Sequence, residues 1–143
     1  YLLTKLLMKP KAIIFDLDGT LCELWDSANP YNHDWEETII QAMEYIYNKI
    51  DCFNDDKIII LTGRKRKDYE RCTEEWLYDN KLNYDELIMQ EWNTAEKNHI
   101  YKEKELVKLQ ERYDIVAMFD DNPLVWDVCA KLWILFLQVR TWK

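Results

Sequence analysis

The sequence predicts an α/β domain built on a parallel five-stranded sheet with helices on both faces. Three observations carry that prediction. Five short apolar runs recur along the chain, at Ala12–Phe15, Ile58–Leu61, Leu87–Met89, Ile115–Phe119 and Trp133–Val139. All but the last are nearly unbroken rather than alternating, which is the pattern of strands buried on both faces. Segments of helical spacing separate the runs, and the resulting order β-α-β-α-β-α-β-α-β implies crossover connections between parallel strands.

Taken in order, residues 1–10 (YLLTKLLMKP) hold a short apolar stretch without a signal-peptide cleavage pattern. They are expected to be a leader or extension, with residues 11–143 forming a single domain. After the first strand, Trp35, Ile39, Ile40, Met43, Ile46, Tyr47 and Ile50 fall on one helical face, with Asp34 as its N-cap. After the second, Tyr69, Cys72, Thr73, Trp76 and Leu77 form another face, closed by Asn80 as C-cap. Leu106, Leu109 and Tyr113 mark a third helix. Leu124, Val125, Val128 and Leu132 mark a fourth, opened by Pro123 at the first helical turn. Trp76, Trp126 and Trp133 sit at core spacing and read as packing residues. Trp25 and Trp92 fall in loops near the predicted mouth of the sheet and are candidates for base stacking.

Composition narrows the function. The 143 residues fit one domain. Nineteen Lys and Arg against 27 Asp and Glu give a net charge of −8, which argues against nonspecific nucleic-acid binding. No run approaches the ~20 apolar residues of a membrane span, so no membrane partner is expected. Cys22, Cys52, Cys72 and Cys129 form no CxxC pair and the chain has two histidines, His33 and His99. That excludes a zinc or disulfide framework and suits free thiols in a reducing, cytoplasmic compartment. One serine, Ser27, speaks against a Ser-His-Asp hydrolase. Glycine occurs twice, at Gly19 and Gly63, where about ten would be average. Each stands beside a threonine just past an apolar run, where backbone geometry would demand it.

Polar residues concentrate where such a sheet does its chemistry. Asp16 and Asp18 follow the first strand, Thr62 ends the second, and Asp120 and Asp121 end the fourth. In an open α/β sheet the functional crevice lies beyond the carboxyl ends of the strands. Any one Asp there could be a turn former or helix cap, and Asp121-Asn122-Pro123 reads well as a capped helix start. Four acids at one sheet end, however, repel one another unless a cation sits among them. A hard divalent ion with oxygen ligands fits, and Mg²⁺ is the abundant one. Such a site suits phosphoryl transfer. One carboxylate attacks phosphorus, and a second, two residues on, protonates the leaving oxygen and then activates water. Thr62-Gly63 supplies a hydroxyl and a backbone N–H, and a lysine near the fourth strand supplies a cation.

The residues themselves carry a resemblance. Phe15-Asp16-Leu17-Asp18-Gly19-Thr20 is similar to the DxDGT signature of haloacid dehalogenase superfamily phosphatases. Thr62-Gly63-Arg64 resembles its second motif, Lys102 its third (with Lys104 and Lys97 as rivals), and Asp120-Asp121 its fourth. The likeness runs from Lys11 to Val139. It is closer still to the 3′-phosphatase domain of phage-type polynucleotide kinase/phosphatases, through Thr73–Leu77, Leu87–Met89, Tyr101-Lys102 and Phe119–Pro123. The resemblance implies Asp16 as nucleophile and Asp18 as general acid/base. It implies Thr62, Gly63 and Lys102 as phosphate-binding, Arg64 as substrate-binding, and Mg²⁺ held by Asp16, the Asp18 carbonyl, Asp120 and Asp121. Two substrate-binding arginines of that family have no counterpart, since neither Leu21–His33 nor Gln90–Thr94 contains Arg or Lys.

Spacing leaves no room for a separate cap domain between Asp18 and Thr62 or between Thr62 and Lys102, because such a domain would want ~50 residues of its own. The expected fold is therefore a capless, Rossmann-like phosphatase core, open to a large substrate. The basic run Arg64-Lys65-Arg66-Lys67 would then dock an anion or form a solvated face. The expected activity is a Mg²⁺-dependent phosphomonoesterase working through an aspartyl phosphate, acting on phosphorylated nucleic-acid 3′ ends. The alternatives are a small-molecule phosphatase such as a nucleotidase, or a non-catalytic phosphate-binding or signalling module.

Overall fold

A computed structural model of the chain describes residues 8–23, 39–53, 55–91 and 96–140. The elements are β1 (Lys11–Phe15), α1 (Gln41–Phe53), β2 (Lys57–Lys65), α2 (Arg66–Asp79), β3 (Glu86–Gln90), α3 (Asn98–Arg112), β4 (Asp114–Asp120), α4 (Pro123–Lys131) and β5 (Leu135–Gln138). The strands form one sheet in the order β3-β2-β1-β4-β5, and every neighbouring pair is parallel.

The register explains the unbroken apolar runs. Successive strand side chains point to opposite faces. Ala12 and Ile14 of β1 join Ile115 and Met118 of β4 in a core closed by Leu106 and Leu109 of α3 and Val125 and Val128 of α4. Ile13 and Phe15 join Ile58, Ile60 and Phe119 in a second core, closed by Met43 and Tyr47 of α1 and Leu77 of α2. Phe15 stacks on Phe119 with ring centroids 4.7 Å apart and tilts against Tyr47 at 4.8 Å. Each fully buried Leu, Ile or Phe contributes roughly 1.5–3 kcal/mol, so the two cores hold the sheet from both sides.

Winding direction reverses once. From β1 the chain moves outward to β2 and β3, with α1 and α2 on one face. It then crosses to β4 and β5, with α3 and α4 on the other. The reversal falls between β1 and β4, which are adjacent in the sheet, and opens a crevice at their carboxyl ends.

Local differences from expectation have physical causes. Ile39 and Ile40 were expected inside the first helix, whose described part begins at Gln41. Ile39 instead bridges Cys22 and the Ile40 N–H donates to the Leu21 carbonyl at 2.8 Å, so their backbone is committed to the turn after β1. Asp34 and Trp35 lie outside the described residues. In α2, Tyr69, Thr73 and Leu77 are buried as read, but Cys72 is exposed. Asn80 caps α2, its backbone and side-chain N–H groups both donating to the Trp76 carbonyl. Asn122 caps α4 by accepting from the Leu124 N–H at 3.0 Å, with Pro123 behind it. The last apolar run begins as a strand at Leu135 rather than Trp133. Trp133 and Ile134 are spent closing α4, where the Ile134 N–H reaches the Cys129 carbonyl at 2.9 Å. Trp133 is 95% exposed and Trp126 54%, so neither packs in the core as their spacing suggested. Among the described residues no helix is long and apolar enough to cross a membrane.

Candidate active site

The first site residue stands where β1 ends. Asp16 is nearly buried, and its backbone N–H donates to the Phe119 carbonyl of β4 at 2.9 Å. The following turn folds back on itself, with the N–H groups of Thr20, Leu21 and Cys22 all donating to the Leu17 carbonyl. Gly19 adopts φ 80°, a left-handed conformation that a side chain would strain. The turn returns the Thr20 hydroxyl to Asp16, where it donates to Oδ2 at 3.1 Å, while Lys102 Nζ donates to Oδ1 at 2.8 Å.

Asp18 is held differently. Arg64 grips both its oxygens, Nε to Oδ2 at 3.0 Å and the second arm to Oδ1 at 2.6 Å. The remaining arm donates to the Thr73 hydroxyl of α2 at 3.0 Å. A bidentate Arg–carboxylate pair fixes orientation as well as charge. Arg64, read from the sequence as a substrate contact, thus stands buried against Asp18 and α2. Next to it the Thr62 hydroxyl accepts from the Arg64 N–H at 3.2 Å.

β4 supplies the other wall. Asp120 is fully buried; its Oδ2 accepts from Lys102 at 2.6 Å and its Oδ1 from the Asn122 N–H at 2.9 Å. Carboxylate oxygens of Asp16, Asp120 and Asp121 all lie within 4.8 Å of one another. Among the described residues Lys102, itself buried, is the ammonium bonded to Asp16 and Asp120. Burial pushes the Asp16 carboxyl well above its ordinary range, with Lys102 opposing and the Asp120 and Asp121 charges adding. Burial likewise raises Asp121 to about 6. Burial alone would lower Lys102, but Asp16 and Asp120 hold it above the usual lysine range. Three hard oxygen donors, two of them bonded to one ammonium, retain excess negative charge and suit a divalent cation. Asp18, placed with them in the sequence reading, has its side chain turned to Arg64 instead.

This arrangement has known relatives. Residues 10–142 match the family model of the polynucleotide kinase PNKP phosphatase domain. The chain belongs to that family. Within the PNKP phosphatase family it is similar to chains in two solved structures. In the structure of the Pnkp1/Rnl/Hen1 RNA repair complex, the matching chain is 30% identical with a TM-score of 0.81, over 92% of this chain and 42% of that one. In the structure of a Pnkp1/Rnl/Hen1 complex, it is 31% identical with a TM-score of 0.79, over 92% of this chain and 45% of that one. The chain therefore spans under half the length of the solved chains it matches.

In this PNKP-family domain the structure also separates the lysines that sequence left open. Lys102 lies between Asp16 and Asp120, whereas Lys104 pairs with Glu96 at the surface and Lys97 is exposed ahead of α3. Three supporting residues were missed. Thr20 and Thr73 orient Asp16 and Arg64, and only the motif's final threonine gave a signal for the first. Asn98 packs so closely on Gly63 that a Cβ there would stand 2.4 Å from its Oδ1. Its spacing of four residues before Lys102, on one helical face, was the available clue. Trp25, Trp92 and His33 lie outside the described residues; His99 is in the first turn of α3.

Proposed function

We propose that this domain is a Mg²⁺-dependent phosphomonoesterase that works through an aspartyl phosphate on Asp16 and removes phosphate from polynucleotide 3′ ends. The observation that carries the reading is the pairing of two unlike aspartates at one strand end. Asp16 is held by a lysine and a hydroxyl, and Asp18, two residues on, is clamped by Arg64. An Asp16 oxygen attacks phosphorus as the bond to the ester oxygen breaks. Asp18 gives that leaving oxygen a proton, then takes one from the water that hydrolyses the aspartyl phosphate. Lys102, the Thr62 hydroxyl and the Gly63 backbone would hold the phosphoryl oxygens.

Asp16, Asp120 and Asp121 would hold the Mg²⁺, with the Asp18 main-chain carbonyl beside them. Both oxygens of Asp16 and both of Asp120 already accept hydrogen bonds within the chain. When bound, the ion neutralises charge on the phosphoryl oxygens.

For the substrate, support comes from the family match and from the solved relatives, which sit in an RNA repair complex. The basic run contributes less than its four charges suggest. Arg64 is turned to Asp18, and Arg66 pairs with Glu70 and Glu91. Lys65 ends β2 and Lys67 stands in the first turn of α2. The proposal includes residues 11–143 as one phosphatase domain. It also includes a cytoplasmic setting in which thiols such as Cys22 and Cys72 stay reduced. The test compares phosphate release from a 3′-phosphorylated oligonucleotide, its 5′-phosphorylated isomer, mononucleotides and a phosphopeptide. The 3′-phosphorylated oligonucleotide should show the highest kcat/KM. Preference for a mononucleotide would replace this substrate assignment with a small-molecule one.

A further inference from the structure

Helix α3 starts with its positive end uncompensated. Its N-cap is Lys97, which supplies no side-chain cap, and its first turn holds no acid. The Ile100 and Tyr101 N–H groups return to the Lys97 carbonyl, while those of Asn98 and His99 have no partner among the described residues. The start of a helix carries roughly half a unit of positive charge, and a lysine there opposes it. A second lysine stands close by. Arg64 of β2 turns to α2, so by alternation Gly63 and Lys65 stand on the α3 side of the sheet, where Gly63 meets Asn98. Neither Lys65 nor Lys97 is ion-paired among the described residues. The neighbouring acids are already committed, Glu91 to Arg66 and Glu96 to Lys104.

An independent observation lies beneath that turn. Tyr101 is 6% exposed, and its hydroxyl is buried without a hydrogen-bond partner. Helical side chains lean over the turn that precedes them, so Tyr101 covers the first turn of α3. Burial pushes its phenol above the ordinary range, with Glu105 and Glu91 adding and Arg66 opposing. The hydroxyl therefore keeps its proton and remains a donor. Two of those charges belong to the first residue of α2 and the residue just past β3, at the carboxyl end of the sheet. A buried hydroxyl without an acceptor costs stability, and buried polar groups are rarely left so. Here one is kept where two lysines and a helix start already call for an anion.

We infer that the first turn of α3, with Lys65, Lys97 and the Tyr101 hydroxyl, forms a second anion subsite that takes the phosphodiester next to the terminal 3′-phosphate. The inference rests on the polynucleotide reading above and adds to it a reason to prefer a chain over a mononucleotide, which has no such group. Lys65 lies two residues beyond Gly63, about 7 Å along an extended strand, which is comparable to the step between neighbouring phosphates of a single strand. The Asn98 and His99 N–H groups and the phenol donate to the diester oxygens, and the two lysines neutralise its charge. Contacts of this kind position the substrate without reading its sequence.

The test uses a 3′-phosphorylated dinucleotide whose internal linkage is either a phosphodiester or an uncharged methylphosphonate. The protein should show a KM roughly tenfold lower for the phosphodiester, with similar kcat, as expected for hydrogen bonds to a charged group. The Lys65→Ala/Lys97→Ala protein should lose that preference. Tyr101→Phe should weaken it by raising KM for the phosphodiester alone. Its melting temperature should be no lower than the parent's, because the unpaired hydroxyl is gone; a merely structural tyrosine would lower the melt and shift both substrates together. Equal KM values for the two linkages in the parent protein would overturn the inference and leave the 3′-phosphatase reading standing. So would a double alanine or Tyr101→Phe variant that keeps the full preference. If neither dinucleotide is hydrolysed while p-nitrophenyl phosphate is, the polynucleotide reading itself fails and takes the subsite with it.

Discussion

Asp16 and Asp18 have the same chemistry and different neighbours, and in the proposed mechanism their environments divide the labour. In the proposed reaction Asp16 must be ionised to attack, and an amide cannot do so. Asp16→Asn should therefore abolish turnover while leaving substrate binding, measured by competition, nearly intact. Asp18→Asn should slow hydrolysis of an oligonucleotide by about 10²–10⁴-fold, the usual range for proton transfer. It should slow p-nitrophenyl phosphate much less, because that leaving group scarcely needs a proton. A third aspartate reports on pH. Burial raises Asp121 to about 6 from an ordinary 3.8, so the folded chain takes up this proton before the unfolded chain does. In EDTA the stabilisation is fully present below the unfolded value and is lost as pH rises through about 6. Urea midpoints measured from pH 5 to 7.5 should fall across that window, and the Asp121→Asn protein should show a flatter profile.

At the scale of elements, the sheet was legible because the runs of β1 and β2 are buried on both sides and therefore have no competing period. The capped start of α4 was equally plain in Asn122-Pro123. The start of the first helix was misplaced because Ile39 and Ile40 keep an apolar helical spacing while their hydrogen bonds go to the turn after β1. Spacing records which side chains are apolar, and it cannot say which carbonyl a particular N–H will find. Trp133 misled for a related reason, since it continues an apolar run but holds a helix-closing turn. In the site, residue type and order placed the motif aspartates at the ends of β1 and β4, and the resemblance singled out Lys102 over Lys104 and Lys97. The Arg64 clamp was not readable, because it depends on Thr73 of the next helix holding the third guanidinium arm. The approach of α3 to β2 gives a further prediction. In Gly63→Ala the new methyl would meet Asn98 Oδ1, a side-chain end that can turn away. The stability loss should then stay within about 1–3 kcal/mol by thermal melts. Adding Asn98→Ala should recover most of it, whereas a backbone clash would leave the double variant no better.

The whole molecule concentrates its charge conflict at one end. Three clustered carboxylates around Lys102 should make metal and fold interdependent. Hydrolysis of p-nitrophenyl phosphate should disappear in EDTA and return with Mg²⁺. The melting temperature should rise with Mg²⁺ concentration as the native state alone binds it. Full activity in chelator would overturn the metal assignment.

The reversal of winding between β1 and β4 also sets the order in which the site can come into being. Lys102 is 86 residues from the aspartate it holds, and β1 has no neighbour on its β4 side until most of the domain is available. Pairings of such long sequence separation incur their loop-closure entropy before any contact rewards them, and they slow folding. During synthesis β1, β2 and β3 can associate early, yet Asp16 then faces neither Lys102 nor Asp120. The proposed phosphatase chemistry should switch on late and all at once, when β4 docks, so that partly folded chains carry the proposed nucleophile without the means to use it.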